Sequence, residues 1–166
     1  MSFAGIVRRS IALEDLKALV GGEIGVSRWF EISQARIDAF ADVTEDRQFI
    51  HIDPAAAKLT PFGGTVAHGF LTLSMLSAMA YDAVPAIEGA VMGVNYGFDK
   101  VRFVAPVRSG SRIRARFRLL GLNARSAREY QPRYEATIEI EGLEKPALVA
   151  EWLSLVVLPS DFAASA

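Results

Sequence analysis

The chain has 166 residues, 51% of them hydrophobic and 22% charged, and a formal net charge of -1. That length fits one domain with a sizeable core, and the near-neutral charge excludes a global basic field that would recruit nucleic acid. Zero cysteines exclude disulfides, thiolate catalysis and Cys-based metal sites together.

No run approaches the roughly eighteen apolar residues that a membrane span needs; the richest stretch, FLTLSMLSAMAY, is broken by Thr72, Ser74 and Ser77. At the N-terminus, MSFAGIVRRSIALEDL carries Arg8 and Arg9 without an apolar core and cleavage site after them. No signal peptide is therefore read, and a cytoplasmic location is expected. A mean hydropathy of +0.24 is high for a soluble monomer and points to a second buried surface, such as a subunit interface.

Neither an internal repeat nor a linker divides the chain, so one domain is expected over residues 1–166. The first half reads as helices and loops. In IALEDLKALV, Leu13, Leu16 and Leu19 or Val20 recur at helical spacing, predicting a helix over about 12–20 that Gly21-Gly22 stops. SRWFEI is a short extended piece. Ser33 then caps a helix over QARIDAFADV, with Ile37, Phe40 and Ala41 on one face, and Asp46 falls just past its end. Asp53-Pro54 is a helix start, a capping carboxylate followed by a residue without an N–H. The short helix PAAAKL ends before Pro61, and PFGG is a turn. From about Val66 to Tyr81 runs a helix apolar on nearly every side, through Phe70, Leu71, Leu73, Met75, Leu76 and Met79. Such a helix is expected to be buried all round.

The second half, from about 89 to 158, reads as five strands: GAVMGVNYG, DKVRFVAPV, SRIRARFRLL, RYEATIEIE and ALVAEWLSLVVL. Pro106 and Gly110 mark the bend between the second and third. In the third, Arg112, Arg114, Arg116 and Arg118 alternate with Ile113, Ala115, Phe117 and Leu119, the mark of a half-buried antiparallel strand. The arginine face could serve as a phosphate stripe, but Glu135, Glu139 and Glu141 on the next strand favour cross-strand pairs. The expected fold is α+β: a hotdog, with a curved antiparallel sheet of about five strands wrapped around a long buried helix.

The segment TEDRQFIHIDP, in the loop 44–54, holds Asp46 and one of the chain's two histidines, His51. A carboxylate and an imidazole within reach of one water form an ordinary general acid–base pair. The plainer reading is that Asp46 caps a turn and His51 packs in the core. GGTVAHGF opens the long helix, so the N–H groups around His68 and Gly69 are unpaired helix-start donors at the positive end of the dipole. Gly69 lacks a side chain, so an acyl carbonyl could approach its N–H as in an oxyanion hole; alternatively the glycine permits tight helix–sheet packing. His68 reads as a structural residue that positions this turn. Two histidines separated by a helix start do not make a metal ligand set.

FADVTEDRQFIHIDPAAAKLTPFGGTVAHGFLTLSML resembles the signature of the MaoC-like dehydratases, the (R)-specific enoyl-CoA hydratase group. MGVNYGFDKVRFVAPVRSGSRIRA further resembles the nodulation protein N-like branch of that family. Together the likeness covers most of Phe40 to Arg116. It implies syn addition of water to a trans-2-enoyl thioester to give a (R)-3-hydroxyacyl thioester, or the reverse. By that resemblance Asp46 activates water, His51 holds it and shares the proton transfer, and the Gly69 N–H binds the thioester oxygen. Ser77 matches a serine near the active site of related enzymes, although it fits a small packing residue equally well. Gln48-Phe49 departs from the Asn-Pro of most of the family, which leaves the dyad spacing intact but puts loop shape and acyl pocket in doubt; Gln48 is kept among the substrate-binding residues. The implied partner is an acyl-CoA or acyl-carrier-protein thioester, with no cofactor beyond that carrier, no metal, no nucleic acid and no membrane. The hydrophobic excess and an otherwise open sheet edge predict a homodimer with a continuous sheet. An acyl thioesterase of the same fold and a catalytically idle acyl-binding subunit remain the alternatives.

Overall fold

The computed structural model describes residues 8–159; the chain ends included in the expected domain, 1–166, lie outside the described residues. Helix α1 (Leu13–Ala18) buries Leu16 and ends before Gly21, whose φ of 90° suits only glycine. The chain then pairs as β2 (Glu23–Val26) and β3 (Phe30–Ile32) along one long strand, β6 (Ser111–Ala124). Beyond β6 lie β7 (Glu129–Ile140), β8 (Leu148–Val157) and, at the far edge, β5 (Met92–Phe103), all antiparallel. A separate parallel pair joins β1 (Ser10–Ile11) to β4 (Ala86–Ile87).

The sheet thus has six strands rather than five, and the expected set changes at two places. GAVMGVNYG and DKVRFVAPV form one strand, because β5 runs through Gly97 with register shifts at Asn95/Gly97 and Phe98/Lys100. Such bulges bend a strand without ending it. The two added strands, β2 and β3, come from the first half; with four and three residues they are too short to display a period. Where alternation was clear, the burial follows it: Ile113, Ala115, Phe117 and Leu119 of β6 are buried, as are Tyr134, Ala136, Ile138 and Ile140 of β7.

The arginine face is a paired surface. Arg114 Nε lies 2.6 Å from Glu139 Oε2, Arg116 reaches Glu139 at 2.7 Å and Glu23 at 2.8 Å, and Arg112 pairs with Glu141. Partial burial would push the Glu139 carboxyl up, but the hydrogen bonds from Arg114 and Arg116 outweigh it and hold the group below its ordinary value.

The long helix, α5 (Gly69–Ala83), begins later than the expected Val66. Val66 and Ala67 are held extended instead, by a bridge to Arg108 and by the Ala67 N–H on the Val107 carbonyl at 2.7 Å. The helix lies against β6 and β2 and buries Leu71, Met75, Leu76, Met79 and Ala83. At Gly25 of β2 a Cβ would stand 2.1 Å from the Ala83 carbonyl oxygen, so only glycine lets the strand reach the helix end. The helix is not buried all round: Phe70 is 67% and Tyr81 56% exposed. The curved sheet covers one side of the helix, and among the described residues Phe70 and Tyr81 on its other side stay uncovered. Among the described residues, no helix is long and apolar enough to cross a membrane.

Candidate active site

Helix α2 (Gln34–Thr44) starts at Ser33, whose hydroxyl accepts the Arg36 N–H at 3.3 Å. It ends at Glu45, which has φ 61° and is the sole non-glycine residue with positive φ among the described residues. A left-handed non-glycine residue is strained by about 1–3 kcal/mol, and here the strain turns the chain sharply into Asp46. The stretch that follows is not all loop. Phe49–Ile52 forms a helical turn, α3, and Pro54–Lys58 forms α4, whose cap Asp53 accepts the Ala55 and Ala56 N–H groups at 3.0 Å. His51 therefore sits on α3, not in the loop where the sequence suggested it. Four residues are too few to show helical periodicity.

His51 is 6% exposed and fixed from two sides. Its Nδ1 lies 2.6 Å from the Val66 carbonyl oxygen. A carbonyl can only accept, so Nδ1 carries the proton, and Nε2 of the neutral ring keeps a free lone pair. The His51 main-chain carbonyl takes a hydrogen bond from Gln34 Nε2 at 2.7 Å, and Gln34 Oε1 accepts from Thr65 Oγ1 at 2.6 Å. Burial pushes the imidazole below its ordinary pKa of 6.5; the Val66 bond and Asp46 oppose that shift, and His68 reinforces it.

Asp46 is exposed beside this ring. Ligand-type atoms of Asp46, His51 and His68 all lie within 4.8 Å of one another, so the fold gathers residues that are separated in sequence by a helix start. A metal reading does not follow from that proximity. The histidine rings stack face to face, centroids 3.7 Å apart and planes 25° from parallel. Lone pairs in nearly parallel planes do not converge on one ion at bonding distance. The cluster is suited to proton transfer.

Gly69 opens α5, and among the described residues its N–H finds no acceptor. His51 and Gly69 both line a cavity of about 350 Å³, whose apolar wall includes Ile50, Phe62, Val66 and Phe103. A Cβ on Gly69 would meet the Phe103 ring at 3.0 Å, so the packing account of this glycine has a physical basis alongside the oxyanion account. Two expected residues stand apart. Gln48 is exposed and precedes α3; its carbonyl accepts the His51 N–H at 2.9 Å, while its side chain makes no capping bond. Ser77 is exposed, about 12 Å of helix rise beyond Gly69. It lines a different cavity, with Tyr81, Asn95 and Trp152, so this chain does not bring it to Asp46 and His51.

With this arrangement in view, comparison with known proteins is decisive: residues 15–140 match the family model described as the MaoC like domain. The chain belongs to the MaoC-like family. It is 51% identical over 146 residues to nodulation protein N of Rhizobium meliloti, covering 87% of this chain and 91% of that protein. It is 43% identical over 140 residues to the 3-hydroxyacyl-thioester dehydratase Z of Mycobacterium tuberculosis, covering 84% and 92%. Among solved structures, an R-hydratase from Pseudomonas aeruginosa superposes with a TM-score of 0.69 at 23% identity, over 84% of this chain and 83% of that one, a likeness of fold.

In this MaoC-like chain several site residues carried no sequence signal. Gln34 occupies an ordinary first-turn position, Thr65 and Val66 precede the helix, and Phe103 sits at the end of an edge strand. Each acts through a contact between segments remote in sequence, which no local pattern encodes.

Proposed function

We propose that the chain is an (R)-specific hydratase/dehydratase that adds water to trans-2-enoyl thioesters carried on CoA or acyl-carrier protein, giving (R)-3-hydroxyacyl thioesters. The observation that carries this reading is the His51 tautomer. With Nδ1–H on the Val66 carbonyl, the Nε2 lone pair is available on a ring that clusters with the Asp46 carboxylate, at a cavity that also reaches Gly69. In the proposed reaction Asp46 and His51 Nε2 each accept a hydrogen bond from one water. The water oxygen bonds to C3, and the C2–C3 π pair moves toward the thioester carbonyl, whose oxygen gains negative charge against the Gly69 N–H. The proton lost from water passes to Asp46 and then to C2. One water held on one face makes the addition syn. The name of the mycobacterial relative, a 3-hydroxyacyl-thioester dehydratase, supports the same chemistry in reverse.

The second part of the proposal is a homodimer. Among the described residues β5 is hydrogen-bonded on one side only, to β8, and it exposes Met92, Val94 and Tyr96. Open apolar edge strands invite strand pairing, and a second copy joined there continues the sheet. Phe70 and Tyr81 on the uncovered side of α5 support the need for another layer.

The deciding assay supplies trans-2-enoyl-CoA substrates of increasing length and follows conjugated absorbance and free thiol together. Loss of absorbance without thiol release is expected. Thiol release would favour a thioesterase, and binding without either change an acyl-binding module.

A further inference from the structure

His68 is 3% exposed, and its Nδ1 is the one buried side-chain nitrogen or oxygen without a hydrogen-bond partner among the described residues. A buried polar atom left unpaired costs stability and calls for an explanation. An apolar ring would fill the same space without that cost. What the imidazole adds lies at its other nitrogen: Nε2 donates to the main-chain carbonyl of Asp46 at 2.9 Å. The same ring stacks on His51 at 3.7 Å and has Phe40 of α2 tilted against it, 5.1 Å away. Its own carbonyl accepts the Thr72 N–H at 3.1 Å, in the first turn of α5. One side chain thus touches both members of the acid–base pair and is anchored in the helix whose start holds Gly69.

We propose that His68 is a positioning residue for the hydration reaction: by binding the Asp46 backbone and stacking on the His51 ring, it sets the carboxylate and imidazole on a single water. The assignment rests on the proposed hydratase reading for its consequence in rate, and it goes beyond holding the helix-start turn. Two acceptors that must share one water tolerate little displacement; misplacement by about 1 Å can cost on the order of 100-fold in rate. Asp46 follows the strained Glu45 and lies on an exposed turn. The bond from His68 restrains its main chain from within the core.

The test uses full-length protein with two substitutions. His68→Phe keeps the flat ring but loses the donor. His68→Gln loses the stack but retains an amide N–H at a similar reach. The expected result is a folded His68→Phe protein with kcat down roughly 10- to 100-fold, KM within about twofold of wild type, and a smaller loss in His68→Gln. Nitrogen-15 spectra provide a reading that needs no substrate. In wild type the Asp46 backbone is expected to give one sharp set of signals; in His68→Phe, which loses the bond to the Asp46 carbonyl, these are expected to broaden or split, while His51 keeps its Nδ1–H tautomer on the Val66 carbonyl. Unchanged Asp46 backbone signals in all three proteins, or equal kcat in the folded fraction of all three, overturns the proposal. A loss confined to KM overturns it too. If wild type hydrates no enoyl thioester, the reaction assignment fails, and the Asp46 backbone comparison still decides whether His68 restrains the main chain of Asp46.

Discussion

Adding one methyl group at Gly69 separates the two meanings that the glycine can carry. A Cβ there would lie 3.0 Å from Cδ1 and Cε1 of Phe103 and 3.2 Å from Cγ, several tenths of an ångström inside ordinary contact. Phe103 is 50% exposed at the end of an edge strand, so its ring is free to give way, and the steric cost falls at or below the ~1–3 kcal/mol of overpacking a tight core. Alanine in place of glycine at a helix position returns up to about 1 kcal/mol. Gly69→Ala is therefore expected to melt within a few degrees of wild type. Its effect on rate is larger if the N–H receives the developing oxyanion, because blocking one such donor costs about 3 kcal/mol, or roughly two decades in kcat. KM changes less, since the charge appears only in the transition state. The displaced Phe103 ring could also spoil the cavity, and Phe103→Ala removes that route by giving the methyl room. The assay compares kcat of Gly69→Ala/Phe103→Ala with that of Phe103→Ala alone, following loss of the enoyl absorbance. A persisting deficit of about two decades is expected. Equal rates in the two proteins would refute the oxyanion assignment and leave Gly69 as a packing glycine.

Asp46→Asn and His51→Ala are each expected to lower kcat by roughly two to four decades while the fold is kept, as checked by steady-state kinetics beside thermal melts; near-normal hydration by either refutes the dyad. Because the folded-state pKa of His51 is depressed below 6.5, the acid limb of kcat/KM is expected below pH 6.5. The stability sign follows from the same shift. The unfolded state takes up the proton first, so the stability present above about pH 6.5 declines as pH falls from there through the folded-state value; melts of His51→Ala across that window should show a smaller decline. Light scattering at micromolar concentration should give twice the 18.0 kDa chain mass, and a Val94→Lys/Tyr96→Lys edge variant should shift toward one chain; a wild-type monomer refutes the paired edge.

Legibility in the sequence followed the range of the interactions. The arginine–glutamate strands were readable because alternation is local and each face meets one environment, and Asp53-Pro54 was readable because a cap is written into adjacent residues. The merging of two expected strands into β5 was not readable. Gly97 and its bulges look like a break in pattern, while the continuous pairing that bridges them is supplied by β8. β2 was hidden for a different reason: what makes it a strand is β6, not its own few residues; β3 falls within SRWFEI, which read as a short extended piece, and β6 gives it its partner.

The candidate site divides in the same way, and the division bears on how the chemistry is held. Asp46, His51 and Gly69 could be named as candidates because each combines a reactive group or a bare N–H with a turn signal beside it, and their roles came from the family resemblance. The groups that orient them were not: the Val66 carbonyl that selects the His51 tautomer, Gln34 on the His51 main chain, and His68 on the main chain of Asp46. Two of these three contacts end on backbone atoms of the dyad residues, and the third is made by a backbone carbonyl. Side-chain identity at the dyad can thus be changed without removing the two bonds to its backbone. That is the physical reason Asp46→Asn and His51→Ala are expected to separate rate from stability. Ser77, named from the family resemblance, stands outside the cluster: it shares a helix with Gly69 but none of the bonds that converge on the dyad.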